Sequence, residues 1–332
     1  MANYLAYISK ISNLKDSLLN SLEFVQWKTE VKNDSTVFIK PNFTYPYYKE
    51  GITTTPELLR ELLEILKDRA DRVIVGESNG GNNLFTADDA FNGHHMREIC
   101  KNAGAELINL SKNPHVFVEE YIQEKKVKVQ LPKLLLDEID CFISVPVLKV
   151  HTMTKVTLSI KNLWGCYPDP KRCLHHNHLS YKLSLITKLL NPKLVIIDGI
   201  YALDGHGPMY GNAKRTNLII SSNNPVVADS LASEVMGIPC KDISHILVAE
   251  KEGLGTTCLD DVRTNDDWKK FKINLKLERT INDNISLILF DSKILTKIAM
   301  DSPLTPIVYR IAKLFRTSEE NEVVRDILSV KK

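Results

Sequence analysis

Short apolar runs alternate with amphipathic stretches along most of the chain. Apolar runs occur in "TVFIKPN", "RVIVGES", "AELINL", "DCFISVPVLK" and "KLVIIDGI". Between such runs, apolar residues recur every three or four positions, as in "TTTPELLRELLEILKD", which is the pattern of a helix with one buried face. Strands that alternate with amphipathic helices predict βαβ units. We therefore expect an α/β fold with a mostly parallel, doubly wound sheet.

Residue types that favour helix ends refine two of the predicted helices. In "TTTPELL", Thr55 is the predicted N-cap and Pro56 the first helical residue. The segment "AFNGHHMREICKNAG" is predicted as one helix that Gly104 closes. We expect His94 and His95 of that helix to be solvated surface residues.

Two segments depart from the strand–helix alternation. "FVEEYIQEKKVKVQL" alternates around a charged turn and predicts a β-hairpin insertion. Residues 259–332 are predicted as a mixed C-terminal extension of an α/β domain at 1–258, and a division of that domain into two lobes meeting near 130–200 stays open. "TPIVYRIAKLFRTS" predicts an amphipathic basic helix. We favour its packing on its own domain over peripheral membrane contact through 303–316.

Composition narrows the class of protein. The chain has 332 residues, of which 43% are hydrophobic and 25% charged, as in globular proteins with a packed core. A net charge of +2 gives no electrostatic reason to expect a nucleic-acid partner. Six scattered Cys argue against a disulfide framework. The sequence has no recognisable signal peptide and no apolar run long enough to span a bilayer, so we expect a cytoplasmic protein with reduced thiols.

Polar side chains follow several of the predicted strands. Lys40 ends "FIK", Glu77 follows "VIVG", Lys149 and His151 end "VLKVH", and Asp198 ends "KLVIID". Ligands of open α/β sheets collect at the carboxyl ends of the strands. We therefore expect these five side chains to share one cleft, although any one of them alone could be an ordinary polar loop residue.

Two loops add candidate anion contacts. Free amides after Thr55, the hydroxyls of Thr53 and Thr54, and Lys40 would suit a phosphate or carboxylate, whereas the alternative is a simple helix cap beside a surface loop. "DGHGPMYGN" contains three glycines, which permit close backbone approach to a ligand or simply a tight turn. The chain contains neither GxxxxGK[ST] nor GxGxxG, so the sequence predicts no P-loop or dinucleotide fingerprint.

The segment "HTMTKVTLSIKNLWGCYPDPKRCLHHNH", residues 151–178, holds a cluster of reactive side chains. Its second half contains five soft or borderline metal ligands: Cys166, Cys173, His175, His176 and His178. Their spacing fits no structural zinc pattern, and two Cys are too few for an iron–sulfur cluster. We favour acid–base catalysis by one or two His over a metal site, with Lys161 nearby to stabilise an anion. If His175 and His178 share a helical face, His176 faces away.

The chain resembles the domain-of-unknown-function family three-six-two. The resemblance rests on the ordered series "VFIKPN", "TTTPELL", "VIVGES", "VPVLKVHTMTKVTLSIKNLWGCYP", "IIDGI", "GHGPMYGN" and "NPVVADSLASEVMG", within about residues 4–255. Many members carry a ferredoxin-like iron–sulfur module with closely spaced Cys, which this sequence lacks. The resemblance marks positions without giving them roles: Lys40, Asn42, Thr54, Glu77, Lys149, His151, Lys161, Asn162, Gly165, His175, Asp198, Gly207, Pro208, Gly211 and Asp229.

A second resemblance is fainter. An early His, a later Lys beside a turn with Gly and Pro, and another His are similar to the core of lactate racemase and its relatives. That resemblance implies a two-domain α/β enzyme with a nickel-pincer cofactor attached through a Lys. This chain has "SIKN" where those proteins carry a glycine pair before the Lys.

Together these features favour an enzyme that acts on a small anionic metabolite by Lys/His acid–base chemistry. The predicted catalytic residues are His151, Lys161, His175 and Lys149. The predicted substrate contacts are Lys40, Asn42, Thr54, Asn162, Gly207 and Gly211. A divalent metal is the candidate cofactor, with predicted ligands Glu77, Asp198, Cys166, Cys173 and His178. The alternatives are a metal- or iron–sulfur-related redox or cofactor-handling protein, a lactate-racemase-like isomerase, and a non-enzymatic interaction module.

Overall fold

The computed structural model describes residues 4–329. The strands are β1 (Leu5–Lys10), β2 (Thr36–Pro41), β3 (Arg72–Glu77), β4 (Glu106–Asn109), β5 (His115–Ile122), β6 (Lys125–Pro132), β7 (Cys141–Val145), β8 (Val147–His151), β9 (Lys155–Val156), β10 (Leu194–Asp204), β11 (Asn212–Ser222) and β12 (Arg263–Thr264). The helices are α1 (Leu14–Phe24), α2 (Trp27–Glu30), α3 (Pro56–Leu66), α4 (Ala87–Gly93), α5 (Met96–Ala103), α6 (Lys133–Asp137), α7 (Leu158–Asn162), α8 (Leu179–Leu190), α9 (Pro225–Met236), α10 (Ser244–Lys251), α11 (Ile281–Asp291), α12 (Lys293–Met300), α13 (Thr305–Leu314) and α14 (Ser318–Ser329). Short 3₁₀ helices lie at Gly81–Asn83, Leu110–Lys112, Leu163–Cys166, Arg172–His175, Cys240–Asp242, Leu259–Asp261 and Trp268–Phe271.

One mixed sheet organises the described chain. Its strands follow the order β12-β1-β11-β10-β7-β2-β3-β4; off this path, β8 pairs with β10, and β9 pairs with β8. The run from β10 through β7, β2 and β3 to β4 is parallel, whereas β11 pairs antiparallel with both β10 and β1. The predicted α/β fold with a mostly parallel sheet is therefore confirmed.

Both faces of the sheet are covered by helices. Alternate residues of β2 enter two different cores: Val37 and Ile39 pack with α1 and α3, whereas Phe38 packs in the core that contains α8 and α9. All three side chains are fully buried. A strand buried on both faces reads as a continuous apolar run, which is the pattern that predicted the parallel sheet.

The predicted start of α3 and the predicted end of α5 are both present, but the predicted cap at the start of α3 differs. Pro56 opens α3 after Thr55, as predicted, but the Thr55 hydroxyl makes no capping hydrogen bond. Instead its backbone N–H donates to Asp198 Oδ2 at 2.7 Å. Gly104 closes α5 in the left-handed conformation, as predicted.

The predicted single helix around His94 and His95 is two helices. His95 adopts a positive φ of 57°, which ends α4 and starts α5 in a new direction. The turn buries His94 completely, with its ring stacked 4.0 Å from that of Phe43. Burial lowers the pKa of His94 to about 4, so it is neutral at physiological pH. The expectation that His94 is a solvated surface residue is wrong.

The remaining segments flank this sheet. The predicted β-hairpin is present as the antiparallel pair β5–β6. β12 pairs with β1, so the chain just beyond residue 258 adds a strand to the main sheet. The amphipathic helix predicted near the C-terminus is α13, and Ile327 of α14 is fully buried. The domain boundary at 258/259 stays a prediction. Within residues 4–329, none of the helices combines the length and hydrophobicity needed to cross a bilayer.

Candidate functional site

The carboxyl ends of β2 and β3 carry a buried ion pair. Lys40 Nζ lies 2.6 Å from Glu77 Oε2, and both side chains are almost fully buried. The two strands are parallel neighbours, so their ends lie side by side. Gly165 covers the pair: a Cβ there would lie 2.7 Å from Glu77 Oε1 and 2.8 Å from Lys40 Nζ. Because glycine has no Cβ, the backbone can approach the pair this closely.

Beside this pair, Lys149 of β8 is held by neutral acceptors. Its Nζ donates to Asn42 Oδ1 at 2.8 Å and to the Ile52 carbonyl at 2.6 Å. Asn42 in turn donates through Nδ2 to Asn162 Oδ1 at 2.9 Å. Burial, reinforced by the charge of Lys161, holds the pKa of Lys149 well below its usual value. The two amides therefore orient a buried lysine that, among the residues the structure describes, has no carboxylate partner within hydrogen-bond distance.

Lys161 and His151 face the same space. Burial, reinforced by the nearby charge of Arg172, lowers the pKa of Lys161 to about 7. Within residues 4–329 the Lys161 ammonium has no hydrogen-bond partner. The backbone N–H of Met153 donates to His151 Nδ1 at 3.1 Å, which leaves Nε2 to carry the proton of the neutral ring. Burial, followed by the Lys161 charge, holds the pKa of His151 well below its usual value.

These side chains surround one small cavity of about 100 Å³. Its lining residues are Lys40, Asn42, Phe43, Thr44, Glu77, Lys149, His151, Thr157, Lys161, Asn162, Trp164, Gly165, Arg172 and Pro208. Four of them carry a cationic group and one, Glu77, carries a carboxylate that already pairs with Lys40. We name it the cationic cavity, because its lining has an excess of positive charge.

A buried aspartate on a neighbouring helix positions α7. Asp229 of α9 accepts hydrogen bonds from the backbone N–H groups of Ser159 at 2.7 Å and Ile160 at 2.8 Å. Burial raises its pKa to about 8, while the two amides act in the opposite direction. Leu158, the first residue of α7, has a positive φ of 45°, which is strained for a residue with a branched side chain. Lys161 and Asn162 therefore lie on a short helix whose geometry is imposed from outside.

The glycine-rich loop approaches the cavity through backbone contacts. Thr152 N donates to the Gly207 carbonyl at 2.9 Å, and a Cβ on Gly207 would lie 1.9 Å from the Val150 carbonyl oxygen. Pro208 lines the cavity, with its carbonyl 3.4 Å from Lys149 Nζ. Gly211 lies outside the lining and serves the turn, because its φ is 134° and a Cβ would lie 2.4 Å from the Asp204 carbonyl.

Comparison with known proteins identifies the family. The model of the family described as "Domain of unknown function (DUF362)" matches residues 37–234, which is more than half of the chain. This chain belongs to the DUF362 family. The matched range contains every residue that lines the cationic cavity.

Two individual proteins are similar to this DUF362 chain. A thylakoid-associated protein of Synechocystis sp. is 29% identical over 139 residues, which cover 40% of this chain and 43% of that protein. This chain thus matches less than half of the length of that curated relative. A crystal structure of a protein from Thermotoga maritima aligns with a TM-score of 0.28 and 13% identity over 55% of this chain and 49% of that one.

Two positions that were predicted to contact ligands instead connect the loops of the DUF362 domain. Thr54 Oγ1 donates to the Val145 carbonyl and accepts from Asn42 N, both at 2.8 Å. The Asp198 carboxylate accepts a hydrogen bond from Thr55 N at the N-terminus of α3, the position for which the sequence left open an anion site or a simple helix cap. Neither Thr54 nor Asp198 lines the cationic cavity.

Among the described residues, the five predicted metal ligands do not assemble into one site. Cys173 Sγ donates to Asn82 Oδ1 at 2.9 Å, His178 is exposed, and the buried Cys166 has its pKa raised to about 12 by burial. Glu77 and Asp198 have the partners described above. In the described range 4–329, no group of three or more His, Cys, Asp or Glu side chains is arranged to hold a metal ion.

The three clustered histidines separate in an unexpected way. His175 Nε2 lies 3.1 Å from Asp169 Oδ2, so it pairs away from the cavity lining. His176 packs 5.6 Å from the ring of Trp164, and after burial the largest cause lowering its pKa is the charge of Lys161. The prediction that His176 faces away depended on a helical face shared by His175 and His178. These two residues share no such face, because a 3₁₀ helix ends at His175 and His178 adopts a left-handed conformation.

Proposed function

We propose that this chain binds a small organic anion in the cationic cavity and performs Lys/His acid–base chemistry on it. One observation carries the proposal: Lys149, Lys161 and Arg172 line a cavity whose only lining carboxylate, among the described residues, is already paired with Lys40. Buried charges are normally paired, because desolvation is costly. A bound carboxylate or phosphate would supply the missing negative charge.

The size of the cavity supports a small ligand or a small head group. A volume of about 100 Å³ lies well below the roughly 300–1,000 Å³ of pockets that enclose drug-sized ligands. A carboxylate or phosphate group with few attached atoms suits such a space, whereas a nucleotide does not.

Lys161 and His151 supply the proposed chemistry. A lysine with a pKa of about 7 is present in both protonation states near neutral pH, which suits a general acid or base. Neutral His151 can donate from Nε2 to a substrate oxygen. Lys149 and Arg172 would stabilise negative charge that develops during reaction.

Isothermal titration calorimetry with sulfate and acetate tests the proposal. We expect saturable binding at pH 6 to the wild-type chain and at least about tenfold weaker binding to Lys161→Met, because one charge-assisted contact is removed. Lys251→Met is the matched control, since Lys251 is exposed on α10. Absence of binding for both anions, or equal affinity in Lys161→Met, would contradict the proposal.

Two alternative functions predict different chemical contents of the purified chain. A lactate-racemase-like isomerase requires a cofactor on a lysine, for which Lys161 is the candidate, and intact-mass measurement would detect the added mass. A metal-handling protein requires bound metal, which elemental analysis after anaerobic purification would detect. An unmodified mass without stoichiometric metal, together with anion binding, favours the acid–base proposal.

We also propose a cytoplasmic location, which cell fractionation tests. The curated relative is named as thylakoid-associated, so an association with a membrane surface is the competing outcome. Recovery of the chain in the supernatant supports the cytoplasmic proposal, and recovery with washed membranes contradicts it.

A further inference from the structure

We infer that the anion in the cationic cavity is the head group of an amphiphile whose apolar chain lies in a second cavity beside it. This inference rests on the proposed function and adds the chemical class of the ligand. The second cavity, here called the apolar cavity, has a volume of about 380 Å³ and lies between the 208–210 loop and helices α11, α13 and α14. Apolar side chains dominate its walls: Met209, Ile285, Leu289, Val308, Ile311 and Phe315.

The two cavities meet at one residue. Pro208 lines both of them, and its carbonyl oxygen lies 3.4 Å from Lys149 Nζ in the cationic cavity. A second segment also borders both: His151 lines the cationic cavity and the next residue, Thr152, lines the apolar one. The head-group site beside Lys149 and the apolar cavity therefore adjoin, and we place the apolar chain of the ligand among α11, α13 and α14.

The walls of the apolar cavity lack the cover that a core normally has. Ile285, Ile311 and Phe315 are 43%, 53% and 46% exposed. Among the described residues, the exposed large apolar side chains outside 281–328 are Phe117 and Tyr121, both on the hairpin. A concentration of exposed apolar side chains in one segment of the chain is typical of a binding surface.

Several polar groups at the apolar cavity hydrogen-bond to one another and so need no partner from a ligand. Tyr210 Oη donates to Glu320 Oε1 at 3.0 Å, and Asn282 Nδ2 donates to Glu320 Oε2 at 3.3 Å. Tyr210, Asn282 and Glu320 thus pair with one another, whereas Arg316 adds one cationic group to a lining that is otherwise mainly apolar. The cationic cavity beside it favours an anionic head group. An uncharged lipid or an apolar peptide helix lacks such a group.

Calorimetry on the full chain at pH 6.5 tests the inference with two series: acetate, hexanoate and decanoate, and methyl, hexyl and decyl phosphate. Burial of a methylene group strengthens binding by roughly two- to fourfold. We therefore expect decanoate or decyl phosphate to bind at least about tenfold more tightly than its six-carbon homologue. Binding of short anions with no dependence on chain length would overturn the inference and leave the proposed function standing. Binding of no member of either series would overturn both.

A variant that fills the apolar cavity tests whether the alkyl chain of the ligand binds there. Ala312 lines this cavity on α13, so Ala312→Phe should remove the gain from chain length and leave acetate or methyl phosphate affinity unchanged. Leu314→Phe is the matched control, because Leu314 lies on the same helix, is 81% exposed and is outside the lining. If Ala312→Phe does not fold by circular dichroism, Phe315→Ser should weaken the ten-carbon ligand and spare the shortest one. If folded Ala312→Phe kept the full increase in affinity with alkyl chain length, the alkyl chain would lie elsewhere and the inference would be overturned.

The amphiphile can come from solution or from a bilayer, and sedimentation with vesicles distinguishes the two sources. Pelleting with vesicles that contain phosphatidate, but not with phosphatidylcholine alone, assigns the ligand to the bilayer. Chain-length-dependent binding of decanoate without pelleting assigns it to solution.

Discussion

Lys161 brings an ammonium group into a desolvated site, and this should cost folding stability. Its pKa falls from 10.5 to about 7, so the folded state disfavours the charged form. The cost is complete below about pH 7 and disappears as the pH rises to 10.5. We expect Lys161→Met to raise the free energy of unfolding at pH 7 by about 1–3 kcal/mol. Urea denaturation at pH 7 measures the gain, and Lys251→Met should show none.

The same residue should make anion affinity depend on pH. A bound anion favours the charged form of Lys161 and raises its pKa above about 7 by roughly one or more units. Sulfate affinity should therefore be highest below pH 7 and fall about tenfold or more between pH 6 and pH 9. Calorimetry across this range provides the measurement. Lys161→Met should give a flat profile, and a flat profile in the wild-type chain would exclude Lys161 as the titrating contact.

Among individual residues, Lys40, Glu77, Lys149 and His151 could be predicted from the sequence, because each lies at or near the end of a buried strand. Arg172 lines the same cavity, but it begins a short 3₁₀ helix in a segment without apolar periodicity, so no sequence pattern marks it. The three clustered histidines could not be told apart, because their course depends on a left-handed turn that no spacing reveals. The predicted roles of these residues stay predictions.

At the scale of elements, α7 depends on Asp229 more than on its own sequence. Its five residues are too few for a stable isolated helix. We expect Asp229→Asn to lower the free energy of unfolding by about 1–3 kcal/mol, because an amide N–H₂ would face a backbone N–H and leave it unsatisfied. Denaturation measures this loss.

Anion binding reports whether Asp229 also positions the site. Sulfate affinity should fall in Asp229→Asn, although Asp229 does not line the cavity, because Lys161 lies on α7. Ser233→Ala, a buried change on the same helix, is the control and should retain affinity. Unchanged sulfate affinity in folded Asp229→Asn would show that α7 keeps its geometry unaided.

The elements that sequence patterns predicted well are those with local causes. The start of α3 follows from Pro56, and the end of α5 follows from Gly104. The break between α4 and α5 escaped prediction because a left-handed His95 has no signal in the apolar periodicity. The short α7 escaped for a similar reason, since a distant carboxylate fixes it.

At the scale of the whole molecule, α14 is tied to the sheet by few contacts. Ile327 is fully buried, and Asp326 accepts hydrogen bonds from Tyr45, at 2.6 Å, and from Tyr47. We expect Ile327→Ala to release this helix locally, because removal of a buried Ile side chain costs about 2–5 kcal/mol. Hydrogen exchange in 318–329 should accelerate at least about tenfold, while β2 and β7 stay protected. Uniform acceleration throughout the chain would instead make α14 part of the global folding unit.

The free thiols offer a further use of this fold. Cys100, Cys141, Cys166, Cys173 and Cys240 are buried on different elements, whereas Cys258 is exposed. An aromatic disulfide reagent should therefore count one fast-reacting thiol in the native chain and six in denaturant. The reaction rates of the five slow thiols then report local opening at five positions in the molecule, because each thiol reacts only when its own surroundings open. Their individual alkylation rates, read by mass spectrometry with and without a bound anion, would map which parts of the chain the ligand holds shut.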